Sequence, residues 1–82
     1  MELRELRSFD TAARLGGISA AADRLGLGQP TVTTHVRKLE RELGMTLLER
    51  HSGSVAPTAA GRRLQTYAEG ALERHRQLLA EL

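Results

Sequence analysis

The chain reads as mainly α: a winged helix-turn-helix of three helices and a short two-stranded β wing, followed by a long C-terminal helix. Three observations carry that reading. Residues 18–43, ISAAADRLGLGQPTVTTHVRKLEREL, hold two apolar helical faces separated by a glycine-containing turn a few residues long, the pattern of a helix-turn-helix. A stretch between Gly44 and Pro57, too short for another helix, is punctuated by His51-Ser52-Gly53-Ser54, a turn signal between two short runs. Thr58 then opens a run to Leu82 whose apolar positions alternate at 4, 3, 4, 3 and 4, the rhythm of a helix seam.

Residues 1–15 place Leu3, Leu6, Phe9 and Ala13 at spacings of 3, 3 and 4, an amphipathic helix that Gly16-Gly17 ends. Phe9, the single phenylalanine, falls on that face and reads as a core anchor rather than a platform for a nucleobase. Arg4, Arg7 and Arg14 alternate with Glu2, Glu5 and Asp10, the composition of a solvated face with local pairing.

The next helix sets Ile18, Ala21, Ala22 and Leu25 on one side, with Gly17 at its N-cap and Gly26 at its stop, where a left-handed residue is wanted. Pro30 fits the first turn of the following helix, which starts near Gln29, because no N–H is needed there. That helix buries Val32, Val36, Leu39 and Leu43. At about 100° per residue, Pro30, Thr33, Thr34, Arg37 and Arg41 face the other way, flanked by Thr31 and Lys38. No acid occurs between Gln29 and Leu39. A face of small hydroxyls, a glutamine and cations can approach a polyanion and hydrogen-bond base edges in a major groove. Two adjacent threonines at exposed helical sites, where threonine is a mediocre helix former, favour that purpose over plain solvation.

Met45–Arg50 and Val55–Pro57 form the wing. Pro57 is tolerated because a two-stranded ribbon is all edge. Arg50, Ser52 and Ser54 are placed to meet a phosphate backbone beside the recognition helix. In the last helix, capped by Thr58, Leu64, Ala68, Ala71, His75, Leu78 and Leu82 line one seam. At 1.5 Å per residue it runs to about 36 Å, more than a small domain covers, so the seam predicts a homodimer through this helix, with Ala68 and Ala71 admitting close approach of two backbones. The units are 1–57, the winged helix-turn-helix, and 58–82, the linker and dimerisation helix. The pattern stops at Leu82 with no C-cap, as in a fragment cut at a domain boundary.

Composition bounds the chemistry. Eighty-two residues make one small domain without room for a large core. There is no cysteine, hence no disulfide or thiolate site. No apolar run reaches the ~20 residues of a membrane span, and the start MELREL is no signal peptide. The expectation is a cytoplasmic, nucleoid-associated protein. Twelve basic against ten acidic residues leave only +2, so a case for nucleic acid rests on where charges sit, not on their sum. His35, His51 and His75 lie on three separate elements and suggest no metal site. Gly26-Leu27-Gly28 is a turn and not a phosphate loop. With no catalytic constellation, the chain does not read as an enzyme, and Glu40 and Glu42 read as helix-surface acids. No cofactor is expected in this fragment. The rival class is a helical module that binds protein through the Gln29–Lys38 face and the long helix.

The motifs AAADRLG, QPTVTTHVRKLE, LGMTLLER and TAAG, in that order, resemble the N-terminal DNA-binding domain of LysR-type transcriptional regulators, and the resemblance spans nearly the whole chain. It implies sequence-specific binding of double-stranded DNA at a partly palindromic operator by a dimer, with the helix that starts near Gln29 in the major groove. Carried over by position, Gln29, Pro30, Thr31, Thr33, Thr34 and Arg37 match recognition positions, and Arg50 matches the basic residue of the wing. It further implies a C-terminal effector-binding domain and a tetramer in the full-length protein. Two departures remove positive charge: Thr34 and Gly53 stand where the family often has arginine. Fewer phosphate contacts and a flatter dependence of affinity on salt follow from them.

Overall fold

The computed structural model describes all 82 residues. In chain order it contains α1 (Leu3–Leu15), α2 (Ile18–Leu25), α3 (Gln29–Leu43), β1 (Leu48–His51), β2 (Ser54–Pro57) and α4 (Ala59–Glu81). The three-helix, winged and long-helix order expected from the sequence is the one observed. Glycines in the left-handed conformation end α1, α2 and α3 at Gly16, Gly26 and Gly44. At Gly26 this matters most: its φ of 67° lets the chain leave α2 and enter α3 within a few residues, a turn that a Cβ would strain.

The helix α1 is the centre of the molecule and packs against α2, α3, α4 and β2. Its Leu6, Phe9 and Ala12 meet Ala21 and Ala22 of α2, Val32, Val36 and Leu39 of α3, Leu47, Leu48 and Val55 of the wing, and Leu64 and Ala68 of α4 in a single core. Phe9 is fully buried, as an anchor should be. The strands pair antiparallel, with Leu48 opposite Pro57 and His51 opposite Ser54. The ribbon is fastened at both ends of its path. Val55 N–H donates to the Gly16 carbonyl at 3.0 Å, and Thr58 N–H to the Leu47 carbonyl at 3.0 Å.

Four expectations need correction. Glu5 and Asp10 are not on a solvated face: both are buried, with Ser8 and Thr11 beside them, because α1 is enclosed on most of its circumference. Leu43, placed in the core by its spacing, is 38% exposed, since α3 outruns the elements that cover it. Glu40 is no plain surface acid, as its carboxylate accepts from the backbone N–H groups of Leu47 at 2.8 Å and Leu48 at 3.3 Å. The long helix is also not without an intramolecular partner. Leu64 and Ala68 are buried in the chain's own core, with Ala71 packed against it, so the small residues of the seam admit α1 and leave Ala68 no surface for a second subunit. Only the seam beyond them stays open: His75 is half-buried, Leu78 is 51% exposed and Leu82 is 91% exposed.

The first turn of α4 is built against the wing. Thr58 caps it, its hydroxyl accepting from Gly61 N–H at 3.0 Å and donating to the Thr46 carbonyl at 2.7 Å. Gly61 is buried hard against the Leu47 backbone, where no Cβ fits.

Candidate nucleic-acid interface

The outer face of α3 is where the sequence puts it. Gln29, Pro30, Thr31, Thr34, Arg37 and Lys38 are exposed, and Thr33 is half-buried at the border of the face. Neither Gly28, which caps α3, nor Gly17, which caps α2, supplies a side chain to the first-turn N–H groups. The first turn of α3 carries no acid. Its N-terminal partial positive charge therefore stands uncompensated by protein.

On the wing, Arg50, Ser52 and Ser54 are exposed, though the Ser54 hydroxyl already donates to the His51 carbonyl at 3.2 Å. An open cleft of about 360 Å³ joins this tip to the start of α3, with Gln29 and Ser19 on one wall and Arg50, Ser52 and Ser54 on the other. The wing and the recognition helix thus share one side of the molecule. Gln29 Nε2 donates to Ser19 Oγ across it at 3.3 Å, which leaves the Gln29 carbonyl oxygen and one amide hydrogen to meet a base. At the other end of α3, Arg37 and Arg41 border a shallow groove with Met45 and Thr46. None of the ion pairs in the molecule engages Arg37, Arg41 or Arg50.

Lys38 differs from these arginines. Its Nζ lies 3.2 Å from Glu5 Oε2 on α1, so it does not stand on the outer face as an uncommitted cation. That carboxylate also closes the first turn of α1, accepting from Glu2 N–H at 3.2 Å. Burial acts to raise the Glu5 pKa, but the Glu2 backbone N–H and the Lys38 ammonium outweigh it and hold the carboxyl below the ordinary glutamate value. His35, next along the same border, is half-buried, with Nδ1 2.7 Å from the hydroxyl of Ser8. Ser8 and Ser19 were not singled out by periodicity, and their partners on another helix leave no local pattern. Arg41 was on the outer face by spacing and is exposed there.

No three His, Asp or Glu side chains converge as a set of metal ligands would. No helix is long and apolar enough to cross a membrane.

Comparison with known proteins decides what this face belongs to. Residues 3–62 match the model of the family described as bacterial regulatory helix-turn-helix protein, lysR family. The chain belongs to the LysR family. It is similar to an uncharacterised HTH-type transcriptional regulator, y4mQ, of Sinorhizobium fredii, with 43% identity over 92% of this chain and 25% of that protein. It is also similar to the RuBisCO operon transcriptional regulator of Allochromatium vinosum, with 43% identity over 83% of this chain and 22% of that protein. Among solved structures, the BenM DNA-binding domain in complex with catB site 1 DNA has a TM-score of 0.92 at 37% identity, covering 99% of this chain and 90% of that one. The chain spans about a quarter of the length of the curated relatives it matches. These LysR relatives are named as transcriptional regulators and not as enzymes.

Proposed function

We propose that this LysR-family domain binds a partly palindromic site on double-stranded DNA as a dimer, with α3 in the major groove and the wing along the neighbouring backbone. The observation that carries the reading is the continuous side formed by the outer face of α3 and the wing tip, on which Arg37, Arg41 and Arg50 make no ion pair. In this reading Gln29 hydrogen-bonds adenine N6 or N7. The methyl groups of Thr31, Thr33 and Thr34 pack on thymine methyls beside Pro30. Arg37 reaches a base edge or phosphate, and Arg50, Ser52 and Ser54 contact phosphates. Lys38 adds charge near the groove only in so far as Glu5 leaves it free. Support comes also from a solved domain similar to this chain in length and fold, whose printed description is a complex with DNA.

Dimerisation rests on the open part of α4, where Leu78, Leu79 and Leu82 are exposed with Tyr67 further back. Two such helices side by side would hold the recognition helices about 34 Å apart, one turn of B-DNA, or a multiple of it. A C-terminal effector-binding domain and a tetramer belong to the full-length protein in this proposal. The relatives' greater length supports the further domain.

The test is selection of bound duplexes from a random pool, followed by titration at several salt concentrations. The logarithm of affinity should fall linearly with that of salt, at about −0.9 per phosphate neutralised. Arg37→Ala and Thr33→Ala should each weaken the selected duplex, the arginine by about 1–3 kcal/mol. If both variants bound it as the wild type does, α3 would not be the groove-reading helix. A helical module for protein partners predicts no mobility shift.

A further inference from the structure

We infer that Ser8 and Glu5 of α1 are positioning residues for base readout, acting through His35 and Lys38 to fix the rotation of α3 about its own axis. The inference rests on the DNA-binding reading above and gives that site two residues on a helix that touches no DNA in it.

Val32, Val36 and Leu39 are fully buried and hold α3 against the core, but apolar contact is non-directional and resists rotation weakly. The borders of the face are where rotation is decided. At about 100° per residue, His35 and Lys38 lie along one border of the outer face, and Gln29, Thr33 and Glu40 along the other. The second border is tied by Gln29 to Ser19 and by Glu40 to the Leu47 and Leu48 N–H groups. The first is tied to α1 by the Ser8 hydroxyl on His35 Nδ1 at 2.7 Å and by Glu5 on Lys38 at 3.2 Å. Ser8 is fully buried, at 0% accessibility, and Glu5 is 3% exposed. Their partners therefore cannot drift without leaving buried polar groups unsatisfied.

The leverage is geometric. At a side-chain radius of about 5–6 Å, a rotation of about 10° carries a helix's outer atoms roughly 1 Å. Hydrogen bonds to base edges fail over such a shift, so readout needs supporting groups that hold the reading side chains. Attraction to phosphates falls off slowly with distance and survives it. Loosening this border should cost sequence preference and spare the electrostatic part of binding. Lys38, committed to Glu5, then acts as a tie and not as a phosphate contact.

The test titrates the chain against two labelled duplexes of equal length across a range of KCl: one selected by the wild type from a random pool, one its scrambled sequence. Ser8→Ala and Lys38→Met should each reduce the preference for the selected duplex by roughly three- to tenfold, with the salt slopes unchanged. The thermal midpoint of Ser8→Ala should not fall, because alanine is the better helix former and half-exposed His35 can turn to water. His35→Asn, which puts an amide near the place of Nδ1, should keep the preference, and His35→Phe should lose it. Adding Ser8→Ala to His35→Phe should then change nothing more. Wild-type preference in Ser8→Ala overturns the inference, as does equal weakening on both duplexes with a lowered midpoint. A salt slope reduced by about 1 in Lys38→Met overturns the role given to Lys38. Failure of the wild type to select any duplex sinks the DNA reading itself and this inference with it, a result distinct from the other three.

Discussion

Replacing Gly61 with alanine tests how firmly the long helix is seated on the wing. An added Cβ would lie well inside the contact radius of the Leu47 carbonyl oxygen, 3.1 Å from Leu47 C and 3.2 Å from Pro57 Cβ. The obstacle is backbone, so no side chain can swing away, and relief requires the first turn of α4 to move off β1. That movement stretches the bond from Thr58 N–H to the Leu47 carbonyl, now 3.0 Å, and the one from the Thr58 hydroxyl to the Thr46 carbonyl, now 2.7 Å. Overpacking of this kind costs about 1–3 kcal/mol, and weakening two hydrogen bonds adds about 1–2 kcal/mol. Alanine returns about 1 kcal/mol through helix propensity. The net loss of about 1–4 kcal/mol, at roughly 4–8 °C per kcal/mol for a domain of this size, should lower the Tm by about 4–30 °C. Circular dichroism at 222 nm through a thermal ramp measures it, with Thr58→Ala, worth about 1 kcal/mol as a lost N-cap, as the scale. A Gly61→Ala chain as stable as the wild type would refute the close seating, since propensity alone would then have decided the outcome.

Other perturbations follow from the buried acids and the open seam. The Glu5 carboxyl is held below the ordinary value of 4.5, so its contribution to stability is present above that value and lost as pH falls through the lower folded-state value. The Tm gap between wild type and Glu5→Gln should therefore narrow on acidification below about pH 4.5, and a gap that stays constant or widens would contradict the Lys38 and Glu2 contacts. Asp10 has one buried oxygen with no hydrogen-bond partner, while the other meets Arg14, a side chain 50% exposed. Because its removal strands no buried partner, Asp10→Ala should cost under about 1 kcal/mol, and a loss of several in chemical denaturation would show a missed contact. Leu78→Glu should shift the chain to monomer in sedimentation, and an unchanged dimer would exclude the exposed end of α4 as its seam.

What the sequence made legible was whatever is local. Helix ends follow from Gly16, Gly26 and Gly44, and the wing from Ser52-Gly53 between two short runs, because caps and turns are decided within a few residues. The reading face of α3 was equally plain, since a helix shows its two sides at a fixed period. Burial of Glu5, Ser8 and Asp10 was hidden for a physical reason. Apolar periodicity reports the one face of α1 that meets the hydrophobic core, yet α1 has neighbours on several sides, and its polar residues are matched by His35 and Lys38 about 27–33 positions away. The seam of α4 shows the same limit. Heptad spacing states that a helix meets another helix but not which one, and here α1 takes Leu64 and Ala68 before any second subunit could.

The placement of acids explains how a chain of net charge +2 presents a cationic reading side. Three acids close to α3 are each engaged away from Arg37, Arg41 and Arg50: Glu5 by Lys38 and the α1 first turn, Glu40 by two wing amides, and Glu42 by the amino group of Met1 at 2.9 Å. Each of these also ties α3 to another part of the chain. Arg37, Arg41 and Arg50 are thereby left without carboxylates, and the field they set up is felt at the groove and at the wing. Removing one such acid has two opposite effects on binding: it deletes a negative charge near the DNA, and it loosens the helix that reads it. The charge term weakens with added salt, while a packing or hydrogen-bond defect does not. For Glu40→Ala the loosening should prevail at high salt, because the lost carboxylate oxygen accepted from two backbone N–H groups at the base of the wing. Affinity for the selected duplex should then fall further below wild type as KCl rises, and a deficit that shrinks with salt would assign Glu40 an electrostatic role alone.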